Sequence, residues 1–250
     1  MGITFDGLYE RGNRAGANED AVVTKARGNC GLFLVSDGMG GHSEGRRASQ
    51  AIAAACLSWW QSRSGTAQER GFSQNIDELK RTLSKASRSI WENTQDGKIC
   101  GATVALLWLQ GPYYGVLWAG DSRCYRVERR FIGVNFEQIT RDDVWENQEK
   151  LTRGFSGNDL QRQPGYGKLI RAAGISPDVE FALHTGTLRR QALFLLCSDG
   201  VYKYVDQGRL KSWAADALKK KSLSASLVRI RSEIYQNRAP DNLSCILVKP

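Results

Sequence analysis

Residues 32–42 read LFLVSDGMGGH, an apolar run that ends in an aspartate followed by three glycines within four positions. The run 32–36 predicts a buried strand, because short unbroken apolar segments bounded by glycine or aspartate are typical of strands with two covered faces. Asp37 therefore stands at a strand end. Gly38 has no side chain, so the backbone can come close to a bound group and present a carbonyl as a ligand.

Acidic residues recur at the ends of other predicted strands. They are Glu19 and Asp20 before an early strand, Asp121 and Asp199 after later ones, and Asp241 before the last. One Asp-Gly pair is explained by a turn, but several converging carboxylates repel one another and need cations. Oxygen ligands favour hard ions such as Mg²⁺ or Mn²⁺. A pair of such ions can lower the pKa of a shared water and make it a nucleophile.

The order of predicted elements favours antiparallel sheets covered by pairs of helices. The further strands are predicted at 103–109, 113–118, 193–197 and 241–248, and the helices at 44–61, 76–92, 207–220 and 223–235. Because the helices come in pairs and not one per strand, a doubly wound parallel sheet is disfavoured. The least periodic stretch, 142–174, predicts an irregular functional loop.

Composition and charge exclude several other classes of protein. The net charge is +9, from 35 Lys and Arg against 26 Asp and Glu, but these residues are too spread out for a nucleic-acid-binding arm. Two histidines, and six cysteines without a C-x-x-C pair, disfavour a structural zinc site and predict buried free thiols in a reducing compartment. The apolar run 51–60 is too short to span a membrane, and the N-terminus has no secretory pattern. We therefore expect a cytoplasmic protein that binds neither nucleic acid nor membrane.

Six motifs resemble, in their order along the chain, those of the bacterial metal-dependent protein phosphatases, which are protein phosphatase 2C-like Ser/Thr phosphatases. They are Asn18-Glu19-Asp20, Asp37-Gly38-Met39-Gly40-Gly41-His42, Gly101-Ala102-Thr103, Ala119-Gly120-Asp121-Ser122-Arg123, Ser198-Asp199-Gly200 and Asp241-Asn242. The resemblance extends from Gly12 to Val248. It implies a single catalytic domain, 1–250, of the α+β class, in which a central sandwich of two antiparallel β-sheets is flanked by pairs of α-helices.

The resemblance also implies a centre of two Mg²⁺ or Mn²⁺ ions. Asp37 would bridge the two ions, and the Gly38 carbonyl would hold one of them. Asp199 and Asp241 would hold the first ion, and Glu19 would reach the second directly or through water.

Two further acidic residues belong to the implied site. Asp20 would lie beside Glu19 as its neighbour at the second ion. Asp121, together with Asp199, would help to hold a third, weaker ion, and Arg123 is expected to hold the turn around Asp121.

The phosphate-binding arginine departs from the family pattern. The family places it four residues before the first glutamate, where this chain has Ala15. Either Arg14, one residue earlier, or Arg11 would take its part, and Arg14 is preferred. Arg14 and Asp37 are thus the candidate catalytic residues.

Two other positions also differ from relatives. Met39 stands, as in bacterial members, where the eukaryotic branch carries a histidine, so the leaving group would take its proton from elsewhere. His42 is expected to have a structural role. The irregular stretch 142–174 corresponds in the resemblance to a variable flap beside the site. This flap begins with Asp142-Asp143 in place of the usual Asp-His.

Two functions remain open at this point. The first is a hydrolase of phosphoserine and phosphothreonine in proteins, which would oppose a Ser/Thr kinase in bacterial signalling and act as a monomer. The alternative is a catalytically silent relative that uses the same cleft to bind phosphoproteins. The sequence names neither the substrate protein nor the pathway.

Overall fold

Two five-stranded antiparallel sheets stack face to face in a computed structural model of the chain. The structure describes residues 2–40, 43–63, 70–94, 98–153, 160–189, 191–219 and 222–250. In spatial order, the first sheet consists of β1 (Thr4–Glu10), β12 (Leu243–Lys249), β11 (Ala192–Cys197), β8 (Arg123–Arg129) and β9 (Val134–Gln138). The second consists of β10 (Ala182–Thr187), β7 (Tyr113–Ala119), β6 (Val104–Gln110), β3 (Cys30–Ser36) and β2 (Ala21–Arg27). A short hairpin pairs β4 (Gly38–Met39) with β5 (Gly101–Ala102).

Helices cover the outer face of each sheet. The second sheet carries α1 (Ser43–Ser62) and α2 (Phe72–Glu92), and the first carries α5 (Gln207–Lys219) and α6 (Ser224–Gln236). Two shorter helices, α3 (Trp145–Arg153) and α4 (Asp199–Tyr202), lie in the connections. Within the described ranges, no helix combines the length and apolar character needed to cross a bilayer.

Strand β3 shows why an unbroken apolar run suits the middle of this sandwich. Its side chains alternate between the two faces of the sheet. Phe33 and Val35 face the other sheet, where they pack in one cluster with Phe194. Leu32 and Leu34 face the helices α1 and α2 in a second cluster. Every residue of β3 is therefore buried, and this removal of apolar area from water is the main term that holds the layers together.

The predicted α+β sandwich with two pairs of helices is confirmed. The helices predicted at 44–61 and 76–92 extend over 43–62 and 72–92, and all six cysteines are buried free thiols. The stretch 142–174 is not irregular throughout, because α3 forms within it. Strand β1 escapes the sequence patterns because it lies at a sheet edge with mostly exposed or half-buried residues, so it needs no continuous apolar run.

Candidate active site

The acidic residues meet because antiparallel pairing places the start of one strand beside the end of its neighbour. In the second sheet Ala21 pairs with Ser36, which sets Asp20 beside Asp37. In the first sheet the N–H of Ser198, after β11, donates to the carbonyl of Ser244 in β12 at 3.0 Å. Both sets of strand ends lie at the same edge of the sandwich.

A cleft of about 620 Å³ opens at this edge. Most of the predicted site residues line it, and residues 167–169 of the flap form part of its wall. The predicted residues on the wall are Arg14, Glu19, Asp37, Gly38, Asp121, Asp199 and Asp241. Asp20 is the exception among them, because its side chain is fully buried and does not reach the wall. His42 lies outside the described residues.

Thr103 anchors the backbone of Asp37. Its Oγ1 accepts the N–H of Asp37 at 2.9 Å, and its own N–H donates to the Asp37 carbonyl at 2.8 Å. Ser122 lies 2.6 Å from the same Oγ1, and Ser36 Oγ donates to the Thr103 carbonyl at 2.7 Å. The sequence motif marks Thr103 and Ser122, but only the strand register shows that they hold Asp37.

Close backbone contacts leave no room for a side chain at two glycines of the site. A Cβ on Gly38 would lie 2.1 Å from the carbonyl oxygen of Gly45, at the start of α1. A Cβ on Gly200 would lie 1.8 Å from the carbonyl oxygen of Asn242. The first contact brings the Gly38 loop against the helix, and the second brings α4 against the loop that carries Asp241.

The buried carboxyls disfavour one another's charge. Burial raises the pKa of Asp20 to about 6, and the negative charges of Asp199 and Asp241 contribute to the rise. Burial, with the charge of Asp199, also raises the pKa of Asp121 to about 6. For Asp37 burial raises the pKa well above its usual value, with contributions from Asp20 and Asp199. Cations at this position would relieve the repulsion.

Three basic residues line the cleft, Arg14, Lys168 and Lys203, and two of them pair with its acidic side chains. Arg14 donates to Glu19 Oε2 at 3.0 Å and to Asp241 Oδ1 at 3.3 Å. Lys203, which the sequence analysis did not single out, places its Nζ 2.6 Å from Asp199 Oδ2. The i,i+4 spacing of Asp199 and Lys203 is the signal that could have found it. Arg11 does not line the cleft, so Arg14 is the arginine that the structure brings to the site.

The donor set fits hard divalent ions. Asp199 Oδ1 is buried and accepts no hydrogen bond from a donor among the described residues, and such an oxygen is costly unless a cation binds it. Asp199 is among the groups that raise the pKa of Asp37, and a cation between the two carboxyls would oppose this effect. Among the described residues, no three acidic, His or Cys side chains are grouped closely enough to hold a metal ion as they stand. Arg14 and Lys203 pair with carboxylate oxygens that metal binding would use.

The start of the flap has a structural explanation. Asp143 accepts the N–H of Gly120 at 3.0 Å and forms a two-point ion pair with Arg171, at 2.6 and 2.9 Å. It thereby ties the flap to the loop that carries Asp121. Arg123 was expected to hold that loop, but its guanidinium pairs with Asp142 at 2.7 Å instead.

Comparison with known proteins agrees with this geometry. The serine/threonine protein phosphatase PstP of Mycobacterium tuberculosis is 26% identical over 98% of this chain, which spans only 44% of that relative's length. The structure of PppA, described as a key regulatory component of T6SS in Pseudomonas aeruginosa, matches with a TM-score of 0.80 and 25% identity, covering 100% of this chain and 98% of that one. The catalytic domain of PstP in complex with two manganese ions matches in fold, with a TM-score of 0.77 and 24% identity over 99% of this chain and 98% of that one.

A family model supports the same assignment over almost the whole length. The model for protein phosphatase 2C matches residues 13–247. That range contains all the acidic residues that line the cleft, both sheets apart from β1 and the end of β12, and the two pairs of helices. The chain therefore belongs to the protein phosphatase 2C family.

Proposed function

We propose that this chain is a metal-dependent phosphatase that hydrolyses phosphoserine and phosphothreonine in proteins, acting as a single catalytic domain. The observation that carries the proposal is the cleft in which Asp37, Asp199 and Asp241 converge with Glu19, beside a guanidinium from Arg14. Such a cleft has the charges required to hold divalent ions and a phosphate side by side.

The residues present fit two Mg²⁺ or Mn²⁺ ions. Asp37 would serve both ions, Asp199 and Asp241 would hold the first, Glu19 would hold the second, and the Gly38 carbonyl would hold one of the two. When bound, the two ions would supply a water of lowered pKa and would neutralise charge on the phosphate.

Arg14 binds and orients the phosphate in this proposal. Its guanidinium carries a planar fork of donors that matches two phosphate oxygens. In the structure that fork pairs with Glu19 and Asp241. Once Glu19 and Asp241 bind divalent ions, the Arg14 guanidinium is free to bind a substrate phosphate at the same wall of the cleft.

The surroundings of Asp37 keep the reacting centre rigid. Thr103 fixes its backbone through two hydrogen bonds. Met39, the residue after Gly38, has no proton to give, so the departing serine or threonine oxygen takes its proton from water.

The test measures phosphate release from a phosphoserine peptide and from para-nitrophenyl phosphate in the presence of Mn²⁺. We expect turnover by the wild-type chain and by Asp77→Asn, a matched control at an exposed position of α2, and none by Asp37→Asn. Equal release by wild type and Asp37→Asn would reject the proposal.

The alternative, a catalytically silent relative that binds phosphoproteins, is an outcome of the same test. It predicts tight binding of the phosphoserine peptide without phosphate release, and Mn²⁺ binding too weak to measure by calorimetry. Action as a monomer in the cytoplasm against a Ser/Thr kinase stays a prediction from the sequence.

A further inference from the structure

Lys203 carries a positive charge into the most acidic part of the cleft. Its Nζ lies 2.6 Å from Asp199 Oδ2 and 3.9 Å from Asp121 Oδ2. Its backbone N–H donates to the carbonyl of Asp199 at 3.1 Å, so the turn of α4 places the lysine over the aspartate. The ammonium group therefore bridges two carboxylates that come from different sheets' strand ends.

The two oxygens of Asp199 have different surroundings. Oδ2 pairs with the Lys203 ammonium, whereas Oδ1 is buried and accepts no hydrogen bond from a donor within the described ranges. Oδ1 is thus the oxygen of Asp199 that remains available to a divalent ion in the cleft that Asp37 and Asp199 both line. A second divalent ion at Oδ2 would have to displace the lysine.

Asp121 is also engaged by donors of the protein. The Tyr202 hydroxyl donates to Asp121 Oδ2 at 3.2 Å, the same oxygen that faces Lys203. Tyr202 is held in place because the guanidinium of Arg123 lies 3.5 Å from the centre of its ring, and Arg123 in turn pairs with Asp142. A divalent ion at Asp121 Oδ2 would compete with the Tyr202 hydroxyl for this oxygen and would be repelled by the positive charge of Lys203.

We infer that Lys203 is a tethered cation that takes the place of a third divalent ion between Asp121 and Asp199, so that the cleft holds two divalent ions and no third. This contradicts the expectation, drawn from the family resemblance, that Asp121 helps to hold a third, weaker ion. The inference rests on the proposed two-ion centre but not on the substrate.

A tethered ammonium suits this position for two physical reasons. It offsets the repulsion between the two carboxylates at any concentration of free metal, because it is part of the chain. A compact ammonium on a flexible stem also adapts to two oxygens without the near-ideal octahedral geometry that Mg²⁺ demands. Lys203 is therefore a positioning residue for Asp121 and Asp199.

The test is calorimetric titration of the metal-free full chain with Mn²⁺, which reports stoichiometry without reference to activity. We expect two ions for the wild type and for Lys211→Met, a control at an exposed position of α5. Lys203→Met, which keeps an unbranched side chain one atom shorter and removes its charge, should gain a third ion or bind Mn²⁺ about tenfold more tightly at this position.

Asp121→Asn completes a double-mutant cycle and separates the possible outcomes. In the wild-type background it should leave the Mn²⁺ stoichiometry unchanged, and in the Lys203→Met background it should remove the gained ion. A third ion in the wild type that Asp121→Asn abolishes, with Lys203→Met no different from wild type, overturns the inference and leaves the phosphatase proposal intact. No Mn²⁺ uptake by any variant overturns both the inference and the two-ion centre.

Discussion

The hydroxyl oxygens of Thr103 and Ser122 lie 2.6 Å apart at the base of the two loops that carry Asp37 and Asp121, and both residues are almost completely buried. Thr103 precedes β6, whereas Ser122 follows Asp121 in the loop after β7. Because Thr103 also accepts the N–H of Asp37, this pair of hydroxyls links the loop that carries Asp37 to the loop that carries Asp121. The position of Asp37 therefore depends on the Thr103 hydroxyl.

Thr103→Val should weaken both catalysis and the fold. Valine matches the shape of threonine but leaves the Asp37 N–H without its acceptor, which costs about 1–3 kcal/mol of unfolding free energy. We expect kcat to fall about tenfold with little change in KM, since a displaced Asp37 affects the chemical step. Thr82→Val is the matched control, because its hydroxyl donates to a carbonyl of its own helix, that of Glu78. Unchanged kcat in Thr103→Val would contradict the role given to the hydroxyl.

Arg14→Ala should lower kcat/KM by about 10- to 100-fold through the loss of two charge-assisted hydrogen bonds to phosphate. Arg14→Lys should recover only part of the loss, because an ammonium lacks the planar fork. Steady-state kinetics with para-nitrophenyl phosphate and inhibition by inorganic phosphate measure the effect. Arg11→Ala is the comparison, and a larger loss there than in Arg14→Ala would assign the phosphate to the other arginine.

Regular patterns in the sequence predict most of this fold and the acidic part of the cleft. The apolar run 32–36 is a strong signal because it is unbroken, and the helix at 44–61 is one because its apolar residues recur at helical spacing. Acidic residues are visible as a group because they stand directly beside predicted strands. The ion pairs of Lys203 with Asp121 and of Asp143 with Arg171 are not visible. They join residues far apart in the chain, so they depend on sheet register and on how the two sheets stack.

The metal-free protein should become less stable as the pH rises from about 4 to about 6. Burial raises the pKa of Asp20 from 3.8 to about 6, so in this window the folded state holds a proton that the unfolded state has lost. The free energy of unfolding therefore falls with rising pH, by about 3 kcal/mol for this group, and the loss is complete above pH 6.

Urea unfolding of wild type and Asp20→Asn at pH 4 and pH 7, in the presence of a chelator, measures the contribution of Asp20. The difference between the two pH values should be smaller in Asp20→Asn than in wild type, because asparagine does not titrate. Asp77→Asn, at an exposed position of α2, should behave as wild type. The same pH difference in all three proteins would show that Asp20 has an ordinary pKa.

Gly38→Ala should reduce Mn²⁺ binding through the backbone. The added Cβ would lie 2.1 Å from the Gly45 carbonyl oxygen and 2.6 Å from that of Glu19, so the loop after β3 must move away from α1 and from the Glu19 loop. Overpacking of this kind costs about 1–3 kcal/mol of unfolding free energy, and it shifts the Gly38 carbonyl from its place in the cleft. Titration calorimetry should show Mn²⁺ affinity lowered at least about tenfold. Gly71→Ala is the control, since its nearest neighbour would be Gln74 Oε1 at 3.9 Å, and wild-type Mn²⁺ affinity in Gly38→Ala would rule out the Gly38 carbonyl as a ligand.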